Sequence, residues 1–206
     1  MKVSIILLDY LRHDYTEQVK NHNLYNAGHE FNLVQLDIYG ISKAINTGIE
    51  QSKGYDAVVI MANDILMPDN WLKRMVEAAT AIENTGMVGI HCVLDLLEPS
   101  VINGIKVHVQ ITPFGNVLIP MKAIEKIGKF NENLDPYSVQ DYDYSYRLQM
   151  TGHINYYLYG LSSNHIGHDS GQNSEYRKMK DESLSKGGEI WTRESQKYID
   201  TNSYYL

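Results

Sequence analysis

A chain of 206 residues, 43% apolar and 21% charged, carries enough hydrophobic material to bury a core. It is expected to form one domain over 1–206, with a core over about 1–174 and a polar helical tail over 175–206. The net charge of −7 argues against nonspecific attachment to nucleic acid or an anionic membrane, which needs concentrated Lys and Arg. The single Cys92 cannot form an internal disulfide, and the apolar start of the chain stops at Asp9, too short for a signal or a membrane span. A soluble, cytoplasmic protein is the expectation.

In chain order, the apolar run over 3–8 predicts a buried strand and 16–27 a helix closed by Gly28. A second strand follows over 31–36, then a helix that Ser42 would cap, running to about Ser52. Residues 57–61 predict a third, fully buried strand. Pro68 opens a helix to about Asn84, with Trp71, Leu72, Met75, Val76 and Ala79 at helical spacing, and 87–92 is a fourth strand. This alternation implies parallel crossovers with helices on both faces of a sheet. Asn103-Gly104 then signals a hairpin, because the pair suits the positive-φ positions of a type I′ turn. A short strand over 116–119, helices over 122–127 and 141–150, and a last strand over 154–158 complete the core. The tail suggests helical turns before Lys186 and around 189–198. The fold class expected is α/β, a single-domain mixed, mainly parallel sheet flanked by helices.

Two acidic clusters carry the chemistry. The run Val58-Val59-Ile60-Met61-Ala62 ends in Asn63-Asp64, and a carboxylate at the exit of a buried strand sits where open α/β sheets bind ligands. Asp64 reads either as a turn residue or as a hard oxygen ligand for a divalent cation. The second cluster is Gln140-Asp141-Tyr142-Asp143. Two residues apart on a helix, Asp141 and Asp143 cannot share a face. Asp143 can reach Arg147, whereas Asp141 shares a stripe with Tyr144, Ser145 and Leu148 in the first turn, as a helix cap or as a base. In Asn164-His165-Ile166-Gly167-His168, either imidazole is a metal ligand or a polar loop residue. The alternating aromatics Tyr156-Tyr157-Leu158-Tyr159 read as strand packing more readily than as a platform for sugars.

The order of these segments resembles the family 2-like glycosyltransferases, of nucleotide-diphospho-sugar transferase fold. Val58 to Asp64 with Pro68-Asp69-Asn70-Trp71-Leu72 is similar to their strand, acidic motif and Pro-x-x-Trp-Leu stretch. Gly40-Ile41-Ser42-Lys43-Ala44-Ile45-Asn46-Thr47-Gly48 resembles their Gly-x-x-x-Ala-x-Asn-x-Gly helix. Gly128-Lys129-Phe130-Asn131-Glu132 through Gln140-Asp141-Tyr142-Asp143 and Arg147 resembles their Glu-Asp-x-Asp segment, and His168-Asp169-Ser170-Gly171 their closing histidine. The resemblance implies inverting transfer of a sugar from a nucleoside-diphosphate sugar to a glycan or other hydroxyl acceptor. It implies Asp141 as general base and a divalent metal, Mn or Mg, held by Asp64 and His168, with His165 the alternative histidine. It also places Asn46 and Asn63 among the donor-binding residues. Two positions depart from the family pattern: Ala62 replaces the first acid of the metal motif, and Gln140 stands where the family has Glu. The base-binding turn after the second strand is shortened, so Asp37 and Tyr39, or Asp9 with Tyr10, would replace it. Two other readings remain. A nucleotidyltransferase would need a Gly-rich phosphate loop where Leu8-Asp9-Tyr10-Leu11-Arg12 stands; a non-catalytic relative would bind a glycan or a protein.

Overall fold

The computed structural model describes residues 1–10, 13–92, 98–110, 115–167 and 175–206. The first strands are β1 (Val3–Leu8), β2 (Phe31–Leu36) and β3 (Ala57–Ala62), joined by α1 (His13–Tyr25) and α2 (Ile41–Gln51). Next come β4 (Ile65–Leu66), α3 (Trp71–Ala81), β5 (Thr85–Gly89) and the hairpin of β6 (Ser100–Ile102) and β7 (Ile105–Val109). Then follow β8 (Val117–Pro120), α4 (Met121–Ile127), α5 (Gln140–Met150), β9 (Ile154–Leu158), β10 (Asn164–His165) and α6 (Glu175–Thr201). The main sheet has the order β2-β1-β3-β8-β5-β9-β7-β6, and β4 pairs with β10 outside it. Strands β2, β1 and β3 run parallel, as do β5 and β9; β8, β7 and β6 pair antiparallel to their neighbours. The sheet is the mixed one expected.

Continuous apolar runs arise because both faces of the sheet are covered. Val3, Ile5 and Leu7 join Ala57, Val59 and Met61 on one face, against Trp71, Leu72 and Met75 of α3. Ile6, Val58 and Ile60 point to the other, where Ile45, Ile49, Tyr144 and Leu148 cover them. The parallel register pairs Leu8 with both Leu36 and Ala62, so Asp9, Asp37 and Asn63 leave the sheet along one edge. Because β8 is antiparallel, Asn116 reaches that same edge, and its Oδ1 accepts the Ala62 N–H at 2.8 Å.

Several boundaries differ from expectation. Helix α1 begins at His13, and β5 spans Thr85–Gly89 rather than 87–92. Ser42 is not the cap of α2. The cap position is Gly40 at φ 94, and the carboxylate of Asp135 accepts the Ser42 N–H at 2.7 Å and the Lys43 N–H at 3.1 Å. A Cβ on Gly40 would lie 2.7 Å from that carboxylate, so only glycine lets the helix end come so close. Ser42 is buried and donates to the Asn131 carbonyl at 2.9 Å. The hairpin turn is as anticipated, with Asn103 at φ 48 and Gly104 at φ 82.

The tail is one helix, not two sets of turns. Its second half is tied to the core by a buried ion pair: Arg147 Nη2 and Asp143 Oδ2 are 3.0 Å apart with both side chains fully enclosed. The Tyr198 hydroxyl donates to Asp143 Oδ1 at 2.8 Å, and Arg147 also donates to the carbonyls of Ile127 and Lys129. The segment at Leu206 lies across the same loop, bonded to Ile127 and Lys129. Removing one member of a buried pair strands the other charge, a loss of about 3–5 kcal/mol. Asp143→Ala should therefore lower unfolding stability by about that much in urea titration, against about 1 kcal/mol for Tyr198→Phe. A loss below about 1 kcal/mol for Asp143→Ala would show that the pair does not anchor the helix.

Candidate active site

A cavity of about 270 Å³ opens where β1, β2 and β3 end. Leu8, Asp9 and Tyr10 line it from β1, Asn63 and Asp64 from the turn after β3, and His165 from β10. Tyr137, from the loop before α5, and Met179 and Lys180 of α6 complete the wall. Its position at the carboxyl ends of parallel strands is the one that the sheet directions favour for a ligand.

Asp64 and His165 are brought together by a two-residue sheet. Ile65 of β4 faces His165 of β10, and the Ile166 N–H donates to the Asp64 carbonyl at 2.9 Å. The side chains follow: His165 Nε2 lies 3.1 Å from Asp64 Oδ2, each partly open to the cavity. A carboxylate and an imidazole suit a divalent transition-metal cation such as manganese, whose remaining positions would be filled by phosphate and water oxygens. The donor set therefore fits a divalent metal at Asp64 and His165, although among the described residues no third His, Cys, Asp or Glu joins them. His168 lies outside the described residues.

The β1 exit is polar but self-satisfied. Asp9 is buried; the Thr16 hydroxyl donates to it, Gln35 Nε2 donates at 2.8 Å, and His13 Nδ1 lies 3.0 Å away. Burial alone would raise its pKa, but the hydrogen bonds from Thr16, Gln35 and His13 outweigh it and hold the carboxyl below the usual range. Asn63 donates to Thr16 at 3.0 Å, linking the exits of β1 and β3. Asp37 is exposed, 3.9 Å from His13. Tyr39 is also exposed and meets Tyr10 edge-on at 5.5 Å, and neither Asp37 nor Tyr39 lines the cavity. Asn46 lies away from it altogether. Its amide clamps Phe130, accepting from the backbone N–H at 2.8 Å and donating to the carbonyl at 3.0 Å, so its place is structural.

Helix α5 separates its two acids as the spacing requires. Asp143 turns inward to Arg147, while the Asp141 carboxylate accepts the Tyr142 N–H at 2.8 Å at the helix start. Burial raises the Asp141 carboxyl above the ordinary range, only partly offset by backbone N–H groups. Tyr137 of the preceding loop lines the cavity, whereas Asp141 is not among the lining residues. The Tyr137 hydroxyl is pushed up to about 12, first by burial and then by the negative charges of Asp141 and Asp64. One phenol in the cavity wall thus feels both carboxylates. Sequence reading passed over Tyr137, one of sixteen tyrosines, and Lys180, whose Nζ lies 4.4 Å from the Tyr137 ring centroid.

The Glycosyl transferase family 2 model matches residues 5–92, the stretch that carries β1 through Asp64 and on to Cys92. Over that stretch the chain is similar to the family 2 glycosyltransferases. Among solved structures, a mutant of Drosophila β1,4-galactosyltransferase 7 in complex with manganese, UDP-Gal and xylobiose superposes with a TM-score of 0.61 at 13% identity. That match covers 87% of this chain and 74% of the other. The catalytic domain of the same Drosophila enzyme with xylobiose gives 0.59 at 14%, covering 86% and 78%. TarS of S. aureus gives 0.57 at 15%, covering 79% of this chain and 36% of that one. At these identities the likeness is one of fold. No curated protein gives a significant match.

The departure at Gln140 has a structural reason. Its Nε2 donates to the Leu134 carbonyl at 2.9 Å and lies 3.5 Å from Asp135 Oδ1, while its Oε1 accepts the Ser138 N–H at 2.7 Å. A carboxylate cannot donate, and it would face Asp135, whose pKa burial already raises. Gln140→Glu should lower stability at neutral pH by about 1–3 kcal/mol. The new carboxyl would have a raised folded-state pKa, so stability should recover as pH falls through it. Thermal melts from pH 5 to 8 test this; equal melting of both proteins at pH 7 would contradict it.

Proposed function

We propose that the protein is an inverting glycosyltransferase that moves a sugar from a nucleoside-diphosphate sugar to a hydroxyl acceptor. The observation that supports this reading is that Asp64, in the stretch matched by the family model, meets His165 at 3.1 Å in the wall of the cavity at the strand ends. Asp64 and His165 would hold a divalent cation, with His168 the alternative histidine, and such a cation would supply Lewis-acid stabilisation of the departing diphosphate. Asn63 and the Asp9–Thr16 pair shape the cavity beside it, and Tyr10 offers a ring to the nucleobase.

Asp141 acts as the base. The acceptor hydroxyl gives its proton to the carboxylate as its oxygen bonds to the anomeric carbon. The bond from that carbon to the phosphate oxygen breaks on the opposite side, so configuration inverts and a nucleoside diphosphate leaves. The raised pKa of Asp141 makes it a stronger base than an exposed aspartate. Because solved neighbours hold UDP and UDP-Gal with manganese, UDP-sugars are the first donors to assay.

A second class is a glycan- or protein-binding relative without turnover, favoured by Ala62, by Gln140 and by the shortened base-binding turn, whose Asp37 and Tyr39 do not line the cavity. Donor hydrolysis or transfer would decide against it.

Asp141→Asn should keep donor binding but lose transfer, whereas Asp64→Asn should lose metal-dependent donor binding. Equal donor affinity with and without metal in the intact protein would contradict the scheme. Stability gives an independent check. Since the folded-state pKa of Asp141 is raised, its ionised form costs stability, fully above that pKa and not at all below the unfolded value. Asp141→Asn should therefore raise the melting temperature at pH 7, and the gain should vanish as pH falls into the ordinary aspartate range. A lower melting temperature for the variant at pH 7 would show that burial does not strain this carboxylate.

A further inference from the structure

Helix α6 does more than cover the core. Its second half is tied down through Tyr198 and Glu194, but its first half leans on the loop before α5. Ser183 Oγ accepts the Tyr137 N–H at 3.3 Å, and Gly187 packs so tightly on Ser138 that a Cβ there would sit 1.7 Å from the serine hydroxyl oxygen. Lys180, Ser183 and Gly187 fall at i, i+3 and i+7, so they share one face of the helix. That face delivers Lys180 to the cavity, with its ammonium 4.4 Å from the Tyr137 ring centroid. Arg177, one turn earlier, is paired with Asp181. Among the described residues Lys180 has no carboxylate at ion-pair distance, and it is the one Lys or Arg in the cavity lining. Asp9 and Asp64 also line the cavity, so among the described residues a cavity without Lys180 would have carboxylates and no lysine or arginine, a poor host for a diphosphate.

We infer that Lys180 is the cationic contact for the donor's diphosphate, adding positive charge from α6 beside the cation that Asp64 and His165 would hold. This rests on the proposed transferase reading. A strongly hydrated point charge on a flexible stem can leave the Tyr137 ring and reach phosphate oxygens without moving the helix. The ring holds the ammonium near the cavity until then, by a contact that is weak where solvent reaches it.

The test is calorimetric titration of the full chain with UDP, GDP, CDP and ADP, each with manganese chloride, at several salt concentrations. Lys180→Met keeps the stem on Tyr137 and removes the charge, while Lys180→Arg keeps the charge. Lys180→Met should weaken the best-bound diphosphate about tenfold and flatten the dependence of affinity on salt, and Lys180→Arg should stay within about threefold of the parent protein. If the parent binds none of the four nucleotides, the transferase reading fails and this inference with it. If the parent binds one and Lys180→Met binds it equally well with the same salt dependence, this inference alone is overturned.

Discussion

The buried pair of Asp143 and Arg147 is the constraint on which the rest of the structure depends. It fixes the rotation of α5 about its axis, because Asp143 must face inward to meet the guanidinium. With that face committed, Asp141, two residues earlier, faces away from the pair and accepts the Tyr142 N–H at the helix start. Through Tyr198 the same pair holds the second half of α6, and through the carbonyls of Ile127 and Lys129 it holds the turn after α4. Its enclosure makes the pair costly to break, and it ties α5, the turn after α4 and the second half of α6 together.

The cavity itself is assembled from long-range placements that local geometry then locks. Parallel pairing of β1 with β3 sets the exits of two strands side by side. The small β4–β10 sheet brings His165 to Asp64, and Asp135 caps α2 from far along the chain. On the proposed reading, these contacts offset the acid that Ala62 replaces. An imidazole faces the surviving carboxylate, and a lysine approaches from the last helix.

Much of the scaffold was legible because strong patterns carry it. The strands β1 and β3 are largely apolar runs that only a sheet covered on both sides would bury, and Asn103-Gly104 marks its hairpin by backbone geometry alone. The opposite orientations of Asp141 and Asp143 follow from helical periodicity. The cap of α2 was not legible, since a serine in the right place lost to a carboxylate supplied by another loop. Nor was the two-residue β4–β10 pairing, which is too short to leave a periodic signal. Asn46 matched a motif yet serves the backbone of Phe130, which shows that a conformational role and a binding role can share one pattern. Tyr137 and Lys180 escaped because their significance comes from α6 returning across the sheet edge.

The central claim is that one cavity, bounded by Asp64, His165, Tyr137 and Lys180, receives the donor diphosphate with its metal. A crystal structure of the protein grown with manganese and UDP, with anomalous scattering collected for manganese, tests it directly. The account predicts an anomalous peak at bonding distance from Asp64, joined by His165 or His168, and a diphosphate lying between that ion and Lys180. Manganese bound away from Asp64, or a nucleotide seated outside this cavity, would contradict it.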